Sequence, residues 1–258
     1  MWIETEGEGP PLVLLHGWAM HGGIFRPLSD RLREHFTLYR VDLPGHGHSP
    51  VRDGTLDATS TLEQLFASLP AAPWLGWSLG GLLAMHAAAR RPDRVTHLIA
   101  LCASPRFVRA ADWPHAVDAE IFRSFGRDLG RDYRGTIDRF LALEAHGSDH
   151  MRDELRALRA HVFERGEPAA HVLCDGLELL DTLDARALLP SLRVPSLWIA
   201  GRRDRLVPWL SMQAAAASCP DSRFLRIEGG GHAPFLSHAG DVAAAIRAVL
   251  LPEPTDKA

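Results

Sequence analysis

Residues 74–91 read WLGWSLGGLLAMHAAARR: an apolar run, the pentad Gly76-Trp77-Ser78-Leu79-Gly80, then a stretch of helix formers. The pentad has the form G-x-S-x-G. Glycines on both sides of a serine permit a sharp, strained turn between a strand and a helix. The turn lifts the hydroxyl of Ser78 above the end of the strand, at the N-terminus of a helix predicted over 79–91. There the backbone N–H of Leu79 and the positive end of the helix dipole face any negative charge that develops. Without that context the pentad is a Gly/Ser turn that closes a strand. With it, Ser78 is the candidate nucleophile.

Working outward, short apolar runs recur along the chain. PLVLLHG (11–17), FTLYRVD (36–42), PWLGWS (73–78), VTHLIALCAS (95–104), VPSLWIAGRRD (194–204) and SRFLRIEGGGH (222–232) read as strands. Helical patterns, such as 79–91 and 210–218, lie between most of them. Short apolar strands alternating with helices predict an α/β fold with a mostly parallel sheet covered on both faces. Ligands on such sheets sit beyond the carboxyl ends of the strands. Those ends carry Gly, Asp, Ser or His in this chain. The alternation stops over 106–185, where DYRGTIDRFLALEAHG and DHMRDELRALRAHVFERG look helical. This predicts a helical cap at 106–185 inserted in a core of 1–105 and 186–258. The residues after Leu251 look frayed.

A serine hydroxyl needs a base. Of the fourteen histidines, His232 stands at the carboxyl end of the last strand, after three glycines. It is the candidate general base. Asp204, just past the fifth strand in GRRDRLVP, is the candidate that orients the imidazole; otherwise it would pair with Arg202, Arg203 or Arg205. The chain order Ser, Asp, His is the one this nucleophile turn normally carries. The second oxyanion donor is expected in the loop after LVLLHG, at the backbone N–H of Trp18, whose indole would wall the acyl pocket. His16 reads as a residue that orders this loop. Asp42 reads as a turn former, and His46 and His48 as loop residues.

Composition excludes several classes. The chain has 258 residues, 46% of them hydrophobic, and a net charge of −4. That balance favours neither nucleic acid nor a membrane surface. No apolar run approaches the length of about 18 residues of a membrane span, and the acidic start MWIETEGEGPP does not read as a secretory signal. Three scattered cysteines read as reduced thiols of a cytoplasmic protein, with no spacing for a metal. The only lysine, Lys257, lies in the tail, so neither Schiff-base chemistry nor a P-loop is expected. No metal or organic cofactor is called for. Nothing marks an additional apolar element, and a monomer is expected.

LLHGW, VDLPGHGHS, GWSLGG, GRRDRLVP and GHAPF, in this order, resemble the α/β-hydrolase superfamily over nearly the whole chain. More narrowly, LGWSLGGL, ASPRF…DWP, RFLALE, GLELLDTLDAR and GHAPFLSH resemble the pimeloyl-acyl-carrier-protein methyl ester esterases of the biotin pathway. The resemblance implies demethylation of a carrier-linked pimeloyl methyl ester, with Ser78, Asp204 and His232 as the catalytic residues. It implies substrate contacts at Trp18, Ser78, Leu79, Phe140, Leu141, Ala142, Leu143, Glu144 and His232. It also implies carrier-binding arginines in the cap. By helical arithmetic Arg152, Arg156 and Arg159 share one sector, beside an apolar sector of Met151, Leu155, Leu158 and Val162 expected to pack inward, with Asp153 and Glu154 elsewhere. Arg139 matches a further carrier-binding arginine. This chain departs from the pattern twice. Glu144 is an acid where an amide is expected; a carboxylate near the distal pocket would weaken binding of an anionic product. Gly135 replaces another cap arginine, with Arg134 as neighbour. The rival readings are a general short-chain carboxylesterase, a carbon–carbon bond hydrolase of the same fold, and a ligand-binding protein on a hydrolase scaffold.

Overall fold

A computed structural model of the protein describes residues 1–51 and 54–251; Lys257 and the rest of the tail after Leu251 lie outside the described residues. The strands are β1 (Trp2–Glu6), β2 (Pro11–Leu15), β3 (Thr37–Asp42), β4 (Ala72–Trp77), β5 (Val95–Leu101), β6 (Ser196–Gly201) and β7 (Ser222–Ile227). They form one sheet in the order β1-β3-β2-β4-β5-β6-β7. From β3 to β7 every neighbouring pair is parallel. Every residue of β6 is buried, as is the carboxyl-terminal half of β4 and β5. A parallel strand is covered on both faces, and so its sequence is almost continuously apolar.

β1 is the strand that hydrophobic patterning misses. WIETE carries two glutamates, and the reading of this segment as an acidic start gave it no structure. It pairs antiparallel with β3, with Glu4 directly opposite Arg40. The buried Arg40 guanidinium bonds Glu4 at 2.8 Å and Glu6 at 3.2 Å. Cross-strand charge pairing adds to the backbone ladder and to the packing of Ile3 at this edge.

The helices are α1 (Arg26–Leu32), α2 (Ala58–Ser68), α3 (Leu79–Arg90), α4 (Glu120–Leu129), α5 (Tyr133–Ala145), α6 (Met151–His161), α7 (Ala170–Thr182), α8 (Trp209–Ala217), α9 (Pro234–Ser237) and α10 (Ala239–Leu250). α3 packs on β4 and β5, and α8 on β6 and β7. Between β5 and β6 the chain contributes α4 to α7, with two isolated bridges, Val108–Val117 and Ala110–Trp113, before them. α4 packs on α5 and α7, and α5 on α6; α7 reaches α3 and α6 reaches α9.

The α6 face differs from its expected form. Leu158 and Val162 are buried, but Met151 is 44% exposed. The helix instead buries Glu154, which accepts hydrogen bonds from the hydroxyls of Ser148, at 2.8 Å, and Ser237. A buried carboxyl group is tolerated where donors surround it, which helical arithmetic on one segment cannot reveal.

The turn from β4 into α3 is built by backbone crowding. A Cβ on Gly76 would lie 2.2 Å from the Gly80 carbonyl oxygen, and one on Gly80 would lie 2.3 Å from the Leu15 carbonyl oxygen. Both obstacles are main chain and cannot rotate away. Gly80→Ala should therefore lower the unfolding free energy by about 2 kcal/mol or more. Urea denaturation followed by circular dichroism measures this; an unchanged midpoint would refute it.

Candidate active site

Ser78 leaves β4 with φ 54° and ψ −119°, an unfavourable region for a residue with a side chain, and caps α3. The conformation turns its hydroxyl toward the loop after β7. There His232 Nε2 lies 2.9 Å from Ser78 Oγ, and His232 Nδ1 lies 2.7 Å from Asp204 Oδ2. One tautomer satisfies both contacts: Nδ1–H donates to the carboxylate and Nε2 accepts from the serine. The other oxygen of Asp204 accepts the backbone N–H groups of Leu206 and Val207, both at 2.8 Å. Asp204 is thus a loop anchor as well as a histidine partner. The neighbouring arginines pair elsewhere, Arg202 with Glu228 and Arg203 with Asp149. All three candidate residues are buried.

Two backbone donors stand beside the serine. Among the described residues the N–H groups of Trp18 and Leu79 donate to no main-chain acceptor. Leu79 opens α3, where N–H groups have no partner within the helix. The Trp18 indole donates to the Leu173 carbonyl of α7 at 2.8 Å and lies against the Phe140 ring of α5, 4.4 Å between centroids. It therefore joins α5 and α7 to the loop after β2. The approach is close enough that a Cβ on Gly176 of α7 would lie 2.8 Å from Trp18 Cδ1.

Residues 140–144 do not form one wall. Phe140 and Glu144, four apart, share a helix face toward Trp18 and His232. Leu141 is buried, while Ala142 and Leu143 are half-buried. Glu144 is not at a distal end of the site: its Oε1 is 4.0 Å from His232 Nε2. Its own carbonyl accepts the His232 backbone N–H at 3.3 Å. Burial first, and then the Asp204 charge, push its acid well above the usual carboxylate range, which favours the uncharged form.

Three of the four candidate carrier-binding arginines have acidic partners. Arg139 pairs with Asp128 and Asp132, Arg156 with Asp153 and Arg159 with Asp138. Arg152 is exposed and has no salt bridge among the described residues. At Gly135 the helix is capped by Asp132, whose carboxylate a Cβ would meet at 2.0 Å. A side chain there would displace the Asp132 carboxylate from its capping position, and Arg134 pairs with Glu167 and lies over the Phe163 ring.

The loop histidines organise the floor of the site. His16 Nδ1–H donates to the Gly17 carbonyl at 2.7 Å, and Nε2 accepts the Leu43 N–H at 2.9 Å. Asp42 accepts the N–H groups of Gly22 and His48. Two donor clusters are close enough to share an ion: Cys102, Asp204 and His232, and His21, His161 and Glu164. In the first, both His232 nitrogens already have partners; in the second, His21 accepts the Gly23 N–H and donates to the His161 carbonyl, while His161 Nδ1 pairs with Glu164.

A family model described as "alpha/beta hydrolase fold" matches residues 10–239, and the chain belongs to that family. Solved structures agree on the fold: an esterase from Exiguobacterium antarcticum at TM-score 0.82, 22% identical, over 96% of this chain and 94% of that one, and an enol-lactonase from Burkholderia xenovorans LB400 at TM-score 0.83, 19% identical, over 96% and 95%. Curated relatives are nearer. "Pimeloyl-[acyl-carrier protein] methyl ester esterase" of Xanthomonas campestris pv. campestris (strain B100) is 57% identical over 95% of this chain and 97% of that protein. The protein of the same name from Stenotrophomonas maltophilia (strain K279a) is 54% identical over 96% and 95%. Within the α/β hydrolases, the chain groups with these esterases.

Two measurements follow from the site. Ser78→Ala should remove ester turnover by a factor on the order of 10⁴ or more, and Asp204→Asn should lower kcat by about 10⁴ by favouring the wrong tautomer, both with wild-type circular dichroism. Separately, burial holds His16 down at about 3 and His46 at about 4, against 6.5 for a free imidazole. The unfolded chain takes up these protons near pH 6.5 and the folded one does not. Their stabilising contribution is complete above pH 6.5 and is lost as pH falls toward the folded values. The urea midpoint should drop between pH 7.5 and 5.0, and drop less in His46→Gln; an equal drop would refute the assignment.

Proposed function

We propose that the protein is a serine carboxylesterase that hydrolyses the methyl ester of pimeloyl-acyl carrier protein to pimeloyl-acyl carrier protein and methanol, in biotin synthesis. The observation that carries this reading is the unbroken line Ser78 Oγ, His232, Asp204 Oδ2, with contacts of 2.9 and 2.7 Å. Its substrate is the one named in the titles of relatives 54–57% identical over almost the whole chain.

The reaction proceeds in two halves. Ser78 Oγ attacks the ester carbonyl carbon while its proton passes to His232 Nε2. The new oxyanion is held by the N–H groups of Trp18 and Leu79, with the α3 dipole behind them. Asp204 stabilises the imidazolium. The bond to the methoxy group then breaks, and His232 gives its proton to the departing methanol. Water attacks the acyl-serine with the same histidine as base, freeing the acid and restoring Ser78. Protein groups, substrate and water account for every proton and bond.

The nucleophile and base are fully buried. The cap, residues 106–185, therefore acts as a lid over the core and moves to admit the acyl chain. The Trp18 contacts to α5 and α7 are where it opens. Arg139, Arg152, Arg156 and Arg159 receive the acidic carrier, Arg152 free and the others exchanging intramolecular aspartates for carrier carboxylates. Exposed pairs of this kind are worth little individually, so the exchange is cheap. Among the described residues no helix is long and apolar enough to cross a membrane. The reading makes the enzyme cytoplasmic and monomeric.

The deciding experiment compares kcat/KM for pimeloyl-acyl-carrier-protein methyl ester and for free dimethyl pimelate. The proposal expects a strong preference for the carrier-linked ester. It also expects Arg152→Glu to lower that value roughly tenfold at low salt and to leave the free ester unaffected. Equal efficiency on both would make the protein a general short-chain carboxylesterase. Binding without product release would make it a ligand-binding protein on a hydrolase scaffold.

A further inference from the structure

Glu144 has an unusual position. Its side chain is fully buried, and neither carboxyl oxygen has a hydrogen-bond partner. It stands 4.0 Å from the nitrogen of His232 that faces Ser78. The charged groups facing it are few. His232 is one, and Asp204 lies on the far side of that ring. From α6 the nearest acid, Glu154, is held by Ser148 and Ser237. On its own helix Phe140 turns toward Trp18, and Arg139 is engaged outward with Asp128 and Asp132. Among these groups there is no cation to neutralise a carboxylate at position 144 other than His232 itself.

We infer that Glu144 is compatible with the hydrolase chemistry only as an uncharged acid beside His232, and that its ionisation suppresses turnover. The inference rests on the serine-esterase reading given above. Uncharged, the carboxyl leaves the Nε2 lone pair to Ser78. Charged, it places a second carboxylate against the ring, opposite Asp204. The proton that Glu144 gives up at alkaline pH leaves to solvent, so the imidazole stays neutral and the site gains one negative charge 4.0 Å from Nε2. The same negative charge opposes the oxyanion within the enclosed site, where charges are weakly screened. The surroundings favour the uncharged form, because burial raises the affinity of the acid for its proton.

The sign is therefore opposite to that of an ordinary catalytic histidine, which gains activity as pH rises. Activity should fall at alkaline pH as Glu144 loses its proton, by on the order of ten- to a hundredfold. The test is the pH profile of kcat/KM on p-nitrophenyl acetate from pH 6 to 10, for the wild type and Glu144→Gln, each normalised to its own maximum. The expected result is an alkaline fall in the wild type that is absent from Glu144→Gln. An alkaline fall of the same midpoint in both, or in neither, overturns the inference. Should the variant not fold, the rate at which neutral diethyl p-nitrophenyl phosphate inactivates wild-type Ser78 serves instead. It should decline over the same pH range, and a rate that rises or stays level to pH 10 overturns the inference. A wild type with no ester turnover at any pH would sink the serine-esterase reading itself, a result distinct from any of these.

Discussion

The contact on which the rest of this structure depends is backbone against backbone, where α3 leaves β4. The first turn of the helix lies directly on the ends of β2 and β4, at distances that admit no Cβ at Gly76 or Gly80. A third glycine continues the crowding, since a Cβ on Gly81 would lie 2.3 Å from the Ala103 methyl carbon. With the helix pressed this close, the chain has one residue in which to reverse. That residue, Ser78, takes a positive φ. The strain is maintained by the packing around it. It presents the hydroxyl to His232 and aligns the Leu79 N–H with the same space.

Around this turn the molecule spends buried polar groups on geometry. Asp204 divides its oxygens between the His232 ring and two backbone N–H groups. Trp77, beside the serine, donates its indole N–H to the His232 carbonyl at 2.8 Å. The candidate base is therefore gripped at its ring, its N–H and its carbonyl. Asp42 does the same for the opposite loop, and Arg165, which follows α6, reaches Asp42 and Glu4 together. Arg165 thus ties the end of β3 and the edge strand β1 to the segment after α6. These groups are satisfied in full, as buried ions must be. Glu144 differs from them: neither of its carboxyl oxygens has a hydrogen-bond partner, and it lies beside the candidate base.

Much of this was legible in the sequence. The central parallel strands declare themselves because strands covered on both faces are almost continuously apolar. The candidate triad could be picked from fourteen histidines because each member sits at the carboxyl end of a strand, in the order that the G-x-S-x-G turn implies. β1 was not legible: its glutamates look like a solvated terminus until Arg40 stands opposite. Nor was the burial of Glu154, whose serine partners lie on either side of α6 in the chain, at 148 and 237. Gly135 looked like a lost arginine; in the structure its N–H takes the Asp132 cap of α5.

The sequence by itself determined the local choices: which segments are strands, which turn holds the serine, and which residue types stand at strand ends. Those follow from periodicity, glycine placement and chain order, all properties of neighbours in sequence. Only the tertiary structure decided what meets across distance. It engages three candidate carrier-binding arginines with aspartates, sets the Trp18 indole between α5 and α7, and brings the Glu144 carboxyl to the face of His232 that Ser78 uses. Partners such as 144 and 232 are far apart along the chain and become neighbours only when α5 folds over the sheet. Whether an acid is charged, free or paired depends on those neighbours, and no reading of its own segment contains them.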